Sequence, residues 1–298
     1  MMEWKGIIPA MTTPFGPDLT VDHDFLARHA RWLVDSGCKG IVALGSLGEG
    51  ATLDFEEKLE VLRTCATALR GQAPLVAGIS SLSTAEAIRL AMKAAEAGCE
   101  GLMVLPPYVY STDWREMKAH IEAILRATGL SCMLYNNPVS YQTDFTPEQI
   151  RELAEEHPNL HAVKESSADV RRIAAIRALI DGRLAILVGV DDLIVEGVQA
   201  GAVGWIAGLA NALPKESVAL FDLACCNDME KAFGLYRWFL PLLRMDTVPK
   251  FVQLIKLVQQ DVGMGSARVR PPRLELVGRE LEEAKATIRA ALENRPVL

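Results

Sequence analysis

Ser131-Cys132-Met133-Leu134-Tyr135 and Leu160-His161-Ala162-Val163-Lys164 are two short apolar runs, and the stretch between them opens a helix at Thr146-Pro147-Glu148-Gln149. That tetrad supplies a capping hydroxyl, a proline at the first helical position and a glutamine at the third. The two runs are continuous rather than alternating, the pattern of parallel strands covered on both faces. Residues 131–164 therefore read as one strand–helix–strand unit.

The same unit recurs in both directions along the chain. Strand candidates are Gly6–Met11, Gly40–Leu44, Leu75–Ile79, Gly101–Leu105, Ser131–Tyr135, Leu160–Lys164, Leu184–Val188 and Val203–Ile206. Between them, Asp54 with Glu57 forms a capping-box pattern ahead of Phe55, Leu59, Leu62, Ala66 and Leu69, and Ser83 with Glu86 opens the next helix. Eight such alternations predict an α/β fold, a closed (β/α)8 TIM barrel over residues 1–211. No G-x-G-x-x-G follows the first strand, which removes the main support for an open dinucleotide-binding sheet. After Gly208 the strand signals stop. Residues 212–298 predict a C-terminal helical extension of three or four helices, punctuated by Pro214, Pro241, Pro249 and Pro271-Pro272.

Composition narrows the partners. The 298 residues are 50% hydrophobic with a net charge of −7 and no block of Lys or Arg, so nucleic acid is not expected. No run approaches the roughly 18 apolar residues of a spanning helix, so no membrane contact is expected. Met1-Met2-Glu3-Trp4-Lys5-Gly6 has no signal-peptide pattern, and the six cysteines show no C-x-x-C spacing. A cytoplasmic protein with reduced core thiols is expected. The five histidines form no ligand spacing; His157 and His161 are four apart, but Pro158 keeps them off a shared helix face. No metal is expected.

In a barrel of this kind chemistry sits at the carboxyl ends of the strands. Those ends bring Gly45-Ser46-Leu47-Gly48-Glu49, Tyr135-Asn136-Asn137-Pro138, Lys164-Glu165-Ser166, Gly189-Val190-Asp191-Asp192 and Ile206-Ala207-Gly208 to one rim. A lysine closing so apolar a strand loses hydration, which favours its neutral, nucleophilic amine. Such an amine can form a Schiff base with a carbonyl substrate. Tyr135 and Lys164 close consecutive strands, roughly 5 Å apart across the ladder. The commoner fate of an arbitrary lysine is a structural ion pair, here with Glu165 or a neighbouring carboxylate. Tyr135 alone reads as an amphipathic rim residue, and Gly45-Ser46-Leu47-Gly48 alone as a tight turn. Two glycines around a hydroxyl do leave backbone N–H groups free to cradle a carboxylate. Asp191-Asp192 reads as the cap of the following helix.

The three motifs around Ser46, Tyr135 and Lys164, in this order and spacing, resemble the dihydrodipicolinate synthase/N-acetylneuraminate lyase family over nearly the whole chain. The resemblance implies a class I aldolase-type enzyme that forms an imine with pyruvate or a related 2-oxo acid and needs no cofactor. It implies that Lys164 is the Schiff-base residue, Tyr135 the acid/base, and Ser46 with the Leu47 amide the carboxylate site. Gly45, Gly189, Ile206 and Ser140 complete the expected substrate contacts. A homotetramer built as a dimer of dimers is implied as well.

Three departures bear on the substrate. Ser140 stands where the synthases carry an arginine for the second substrate's carboxylate, and Leu47 replaces a second hydroxyl. In Tyr108-Val109-Tyr110, valine takes the place of a tyrosine that serves the neighbouring subunit. These departures break the synthase hydroxyl relay at two points and favour a catabolic branch such as 1-pyrroline-4-hydroxy-2-carboxylate deaminase. The alternatives are 4-hydroxy-tetrahydrodipicolinate synthase and a 2-oxo-3-deoxy sugar-acid aldolase or dehydratase. From other classes, a non-catalytic 2-oxo-acid-binding barrel stays open. A metal-dependent barrel hydrolase would need His-x-His where the first strand has Ala10-Met11-Thr12.

Overall fold

The computed structural model describes residues 2–107, 113–180 and 182–298. Tyr108-Val109-Tyr110 lies outside the described residues. Eight parallel strands are present: β1 (Gly6–Ile7), β2 (Ile41–Ala43), β3 (Leu75–Ile79), β4 (Gly101–Val104), β5 (Ser131–Asn136), β6 (Leu160–Glu165), β7 (Ala185–Val188) and β8 (Gly204–Trp205). From β2 to β8 each strand pairs with the next in sequence, and β8 pairs with β1. A parallel bridge between Ala10 and Val42 joins the end of β1 to β2 and closes the ring. The expected (β/α)8 TIM barrel is the observed fold. β1 and β8 are shorter than their apolar runs, because Ile8 to Met11 and Ile206 to Ala207 continue as single hydrogen bonds to the neighbouring chain.

The helix starts follow the side-chain signals in the sequence. Asp54 and Glu57 form the reciprocal capping box of helix Phe55–Leu69, and Thr146 and Gln149 that of helix Pro147–Glu156. Their apolar stripes (Leu59, Leu62 and Cys65; Ile150, Leu153 and Ala154) are buried against the strands. Each fully buried aliphatic side chain stabilises the fold by about 1.5–3 kcal/mol.

One irregularity decides which residues meet inside the ring. Along the β5–β6 ladder Cys132 faces Leu160, but Met133 faces Ala162, so β6 carries one extra residue at His161. A regular ladder continued from Cys132 would set Tyr135 opposite Val163. With the bulge, Tyr135 faces Lys164 directly. Side chains alternate faces along a strand, so this one-residue offset keeps both polar side chains pointing into the barrel. His161 Nδ1 is 2.8 Å from Ser131 Oγ, which fastens the bulge to the base of β5.

Beyond β8 the chain forms helices Pro214–Cys225, Met229–Leu243, Phe251–Asp261 and Gly278–Glu293. Pro241 lies inside the second of these, while Pro249 and Pro271-Pro272 fall in connections. Helix Pro214–Cys225 packs against β1 and against helix Ile194–Gln199. Helix Phe251–Asp261 is tied to the strand ends: Thr12 Oγ1 donates to Gln259 Oε1 at 2.9 Å, and Lys256 Nζ lies 2.5 Å from Glu49 Oε1. Cys38, Cys65, Cys99 and Cys132 are buried as expected, whereas Cys225 and Cys226 end an amphipathic helix and are exposed. No described helix is long and apolar enough to cross a membrane.

Candidate active site

A cavity of about 200 Å³ opens at the carboxyl ends of the strands. Every residue singled out from sequence lines it: Gly45, Ser46, Leu47, Tyr135, Ser140, Lys164, Gly189 and Ile206. A larger apolar groove of about 600 Å³, between helices Pro214–Cys225 and Met229–Leu243 and the chain end, shares none of these residues.

Lys164 is 6% exposed, and its Nζ lies 3.9 Å from the centroid of the Tyr135 ring. Among the described residues it makes no ion pair and no hydrogen bond. Pairing with Glu165 is excluded by strand alternation, and the neighbouring carboxylates Asp246 and Asp191 act on the amine only through their charge, with no ion pair within 4.0 Å. Glu165 Oε1 instead accepts from Ser167 N at 2.7 Å and Oε2 from Asn136 Nδ2 at 3.1 Å, with the Arg172 guanidinium 3.6 Å away. Burial pushes the Lys164 amine down to about 8, against the opposing pull of Asp246 and Asp191. About one molecule in ten then holds a free amine at pH 7. Gly189 makes room for this side chain: a Cβ there would stand 2.5 Å from Lys164 Cε and 2.0 Å from Ser166 Oγ. Ser166 Oγ is buried beside the Tyr135 hydroxyl and makes no hydrogen bond of ordinary geometry among the described residues.

Burial pushes the Tyr135 phenol up to about 12, so it holds its proton across the neutral range. Its OH accepts from Asn137 Nδ2 at 3.0 Å. Asn137 also accepts from Ser140 N, capping the short turn Pro138–Tyr141. That turn delivers Tyr141, whose ring stands edge-on to Tyr135 with centroids 5.7 Å apart. The Tyr141 hydroxyl hydrogen-bonds Ser46 Oγ. Ser46, Tyr141 and Tyr135 thus follow one another within one chain, by a hydroxyl–hydroxyl hydrogen bond and then an edge-on pair of rings. No motif pointed to Tyr141; only its place six residues beyond Tyr135, on a turn that folds back, could have suggested it.

The turn after β2 is set by crowding. A Cβ at Gly48 would lie 2.8 Å from Met11 O, and one at Gly50 2.2 Å from Leu44 O. Its chain reversal is closed by Glu49 N to Ser46 O and Gly50 N to Gly45 O, and among the described residues the N–H groups of Ser46 and Leu47 take no backbone partner.

The helical extension adds a second wall that the motifs did not show. Asp246, Phe251 and Arg273 line the cavity opposite the strand ends. Arg273 Nη1 is 4.0 Å from Glu49 Oε2, a carboxylate already held by Lys256 and by Arg270 N. Ser140 is neutral as expected, so the arginine of this cavity comes from a different part of the chain. Asp191 does not cap the following helix. It accepts from Trp205 Nε1 at 2.8 Å, Gly208 N at 3.0 Å and Leu209 N at 2.7 Å. Among the described residues the one cluster of candidate metal ligands, Glu122, Glu156 and His157, is bridged by Lys118, 2.8 Å from Glu156 and 3.7 Å from Glu122.

Comparison with known proteins gives the family and the fold. The family model described as "Dihydrodipicolinate synthetase family" matches residues 3–291. A 4-hydroxy-tetrahydrodipicolinate synthase of Haloarcula marismortui is 31% identical over 98% of this chain and 95% of its own length, and one of Geobacter metallireducens is 34% identical over 78% and 80%. Among solved structures, a putative dihydrodipicolinate synthetase from Pseudomonas aeruginosa superposes with a TM-score of 0.92 at 31% identity, covering 97% of this chain and 100% of its own. YagE from E. coli K12, solved in complex with pyruvate, superposes at 0.91 with 26% identity over 97% and 99% of the two chains. The chain belongs to the dihydrodipicolinate synthetase family.

Proposed function

We propose that this protein is an imine-forming lyase in which Lys164 condenses with C2 of pyruvate or a related 2-oxo acid. The observation that carries the reading is a buried lysine with no ion-pair partner, its amine against the Tyr135 ring and open to a cavity. Nζ attacks C2, and the carbonyl oxygen leaves as water after taking one proton from Nζ and one from Tyr135, which leaves the protonated imine. The resulting iminium draws electrons from C3, so a C3 proton can be lost and an enamine formed. Ser46 and the N–H of Leu47 hold the substrate carboxylate, and Tyr141 links Ser46 to Tyr135. No cofactor enters these steps, because the iminium itself is the electron sink. Borohydride reduction in the presence of pyruvate, read by intact mass, tests the reading. A chain left unmodified, or one still modified after Lys164→Ala, would falsify it.

Two readings of the second substrate stand on different observations. The names of the relatives and the presence of Arg273 in the cavity favour 4-hydroxy-tetrahydrodipicolinate synthase, with Arg273 holding the carboxylate of aspartate semialdehyde. Neutral Ser140, Leu47 in the turn and the uncommitted carboxyl of Asp246 favour the catabolic reading, a 1-pyrroline-4-hydroxy-2-carboxylate deaminase or sugar-acid dehydratase. Turnover of pyruvate with aspartate semialdehyde, set against turnover of 1-pyrroline-4-hydroxy-2-carboxylate, separates them. The homotetramer is likewise proposed on family grounds. YagE and the synthases share this fold, but a structure described as a monomeric dihydrodipicolinate synthase variant has it too. Light scattering in solution decides.

A further inference from the structure

We propose that Asp246 is the acid that serves the oxygen on C4 of the substrate, a role separate from that of Tyr135. The inference rests on the imine reading of Lys164. Asp246 comes from the connection between helices Met229–Leu243 and Phe251–Asp261, so the helical extension supplies it and the barrel does not. It lines the cavity that holds Lys164 and Tyr135. Its carboxyl rests on the bare Cα of Gly208, where a Cβ would come within 2.2 Å of Oδ1. Among the described residues it has no hydrogen-bond or ion-pair partner, although a partly buried carboxyl ordinarily finds one. A carboxyl held in place and left unpaired inside a cavity is placed for a ligand.

Its surroundings keep the proton on. Asp191 is committed to Trp205 and to the N–H groups of Gly208 and Leu209, so it holds the negative charge of the pair. Burial and the charges of Asp191 and Asp192 raise the Asp246 carboxyl well above the carboxylate range, against the pull of Lys164. The two proton carriers also lie on different sides of the nucleophile. Tyr135 is on β5, beside β6, while Asp246 packs on Gly208 after β8, beyond β7. One acid can serve the oxygen on C2 while the other serves the oxygen two atoms further along.

The bookkeeping of atoms is the same in each direction. In aldol addition the enamine C3 attacks the aldehyde carbon, the C3–C4 bond forms, and the aldehyde oxygen takes the Asp246 proton to become the C4 hydroxyl. In retro-aldol cleavage the Asp246 carboxylate takes that proton back. In dehydration the enamine electrons expel the C4 oxygen, which takes the Asp246 proton and departs as water. The water that later hydrolyses the imine restores the proton. No oxidant or reductant is involved.

Asp246→Asn keeps the shape and removes the proton. Three readouts on this variant and on the parent chain test the role. These are borohydride trapping with pyruvate, exchange of pyruvate C3 protons in D₂O by NMR, and turnover of three probes. The probes are pyruvate with aspartate semialdehyde, 1-pyrroline-4-hydroxy-2-carboxylate and 2-oxo-3-deoxy-D-gluconate. The expected result is trapping and exchange retained, with turnover down by about 10²–10⁴-fold. Turnover within about tenfold of the parent overturns the proposal. So does loss of exchange together with turnover, which would mean that the carboxyl acts only through Lys164. Failure of the parent to turn over any of the three probes overturns it too, since they cover addition, cleavage and dehydration at C4. Absence of trapping in the parent is a different failure, that of the imine reading itself.

Discussion

Two lysines of this chain are almost equally buried, Lys164 at 6% exposure and Lys256 at 2%, and each ammonium lies over an aromatic ring. Lys256 is 4.4 Å from the Phe15 centroid, 2.5 Å from Glu49 Oε1 and 2.8 Å from Arg268 O. Burial lowers both amines, but Lys256 has a carboxylate and a carbonyl to satisfy its donors. Lys164 has neither and faces a cavity. Burial alone therefore makes no nucleophile. On the proposed reading, the absence of a partner and the presence of a void do.

The comparison can be broken at several points. Lys164→Ala should abolish the pyruvate adduct and lower turnover by at least about 10⁴-fold while leaving the thermal midpoint unchanged or raised. Calorimetry beside an activity assay checks both halves. Lys256→Met should do the reverse. It takes from Glu49 its nearest cation and leaves it the Arg270 N–H and Arg273 at 4.0 Å, so stability should fall by about 1.5–3 kcal/mol in urea unfolding, with adduct formation per folded molecule retained. Adding Glu49→Gln to that variant should restore much of the loss; no recovery would mean that the pair is not the main tie. Tyr135→Phe removes a proton carrier but no packing volume, and should cost about 10²–10⁴-fold in turnover, read by steady-state kinetics. Ser46→Ala should raise KM for pyruvate about tenfold, the loss of one hydrogen bond. The smallest effect is that of pH. Lys164 is held below its ordinary value, so the reactive neutral amine grows as pH rises and levels off above about 8. Adduct formation should climb about tenfold from pH 7 to that plateau. A flat profile in stopped-flow trapping would remove the free amine from the argument.

Much of this was legible in the sequence because strands covered on both faces leave a run of apolar residues, and the helices after the first five runs each open on a side-chain cap. The rim residues could be read for the same reason, since the end of a run is the end of a strand. What could not be read lies where chain neighbours do not specify spatial neighbours. Asp246 and Arg273 reach the cavity from 36 and 63 residues beyond the last strand candidate's neighbourhood at Ala210, across proline-punctuated connections with no periodic signal. Tyr141 belongs to a four-residue helical turn too short to carry a pattern. Asp191 looked like a cap because caps and buried acceptors share the same residue type; only the indole of Trp205 and the two amides, brought by β8, distinguish them.

The extra residue at His161 gives the barrel a question of parity. Count one fewer along that strand, and the interior would be offered the isopropyl group of Val163 while the amine turned toward the surrounding helices. The chemistry proposed for this molecule thus depends on an odd-or-even property of its backbone, one that substitution cannot alter and that a single insertion or deletion can reverse.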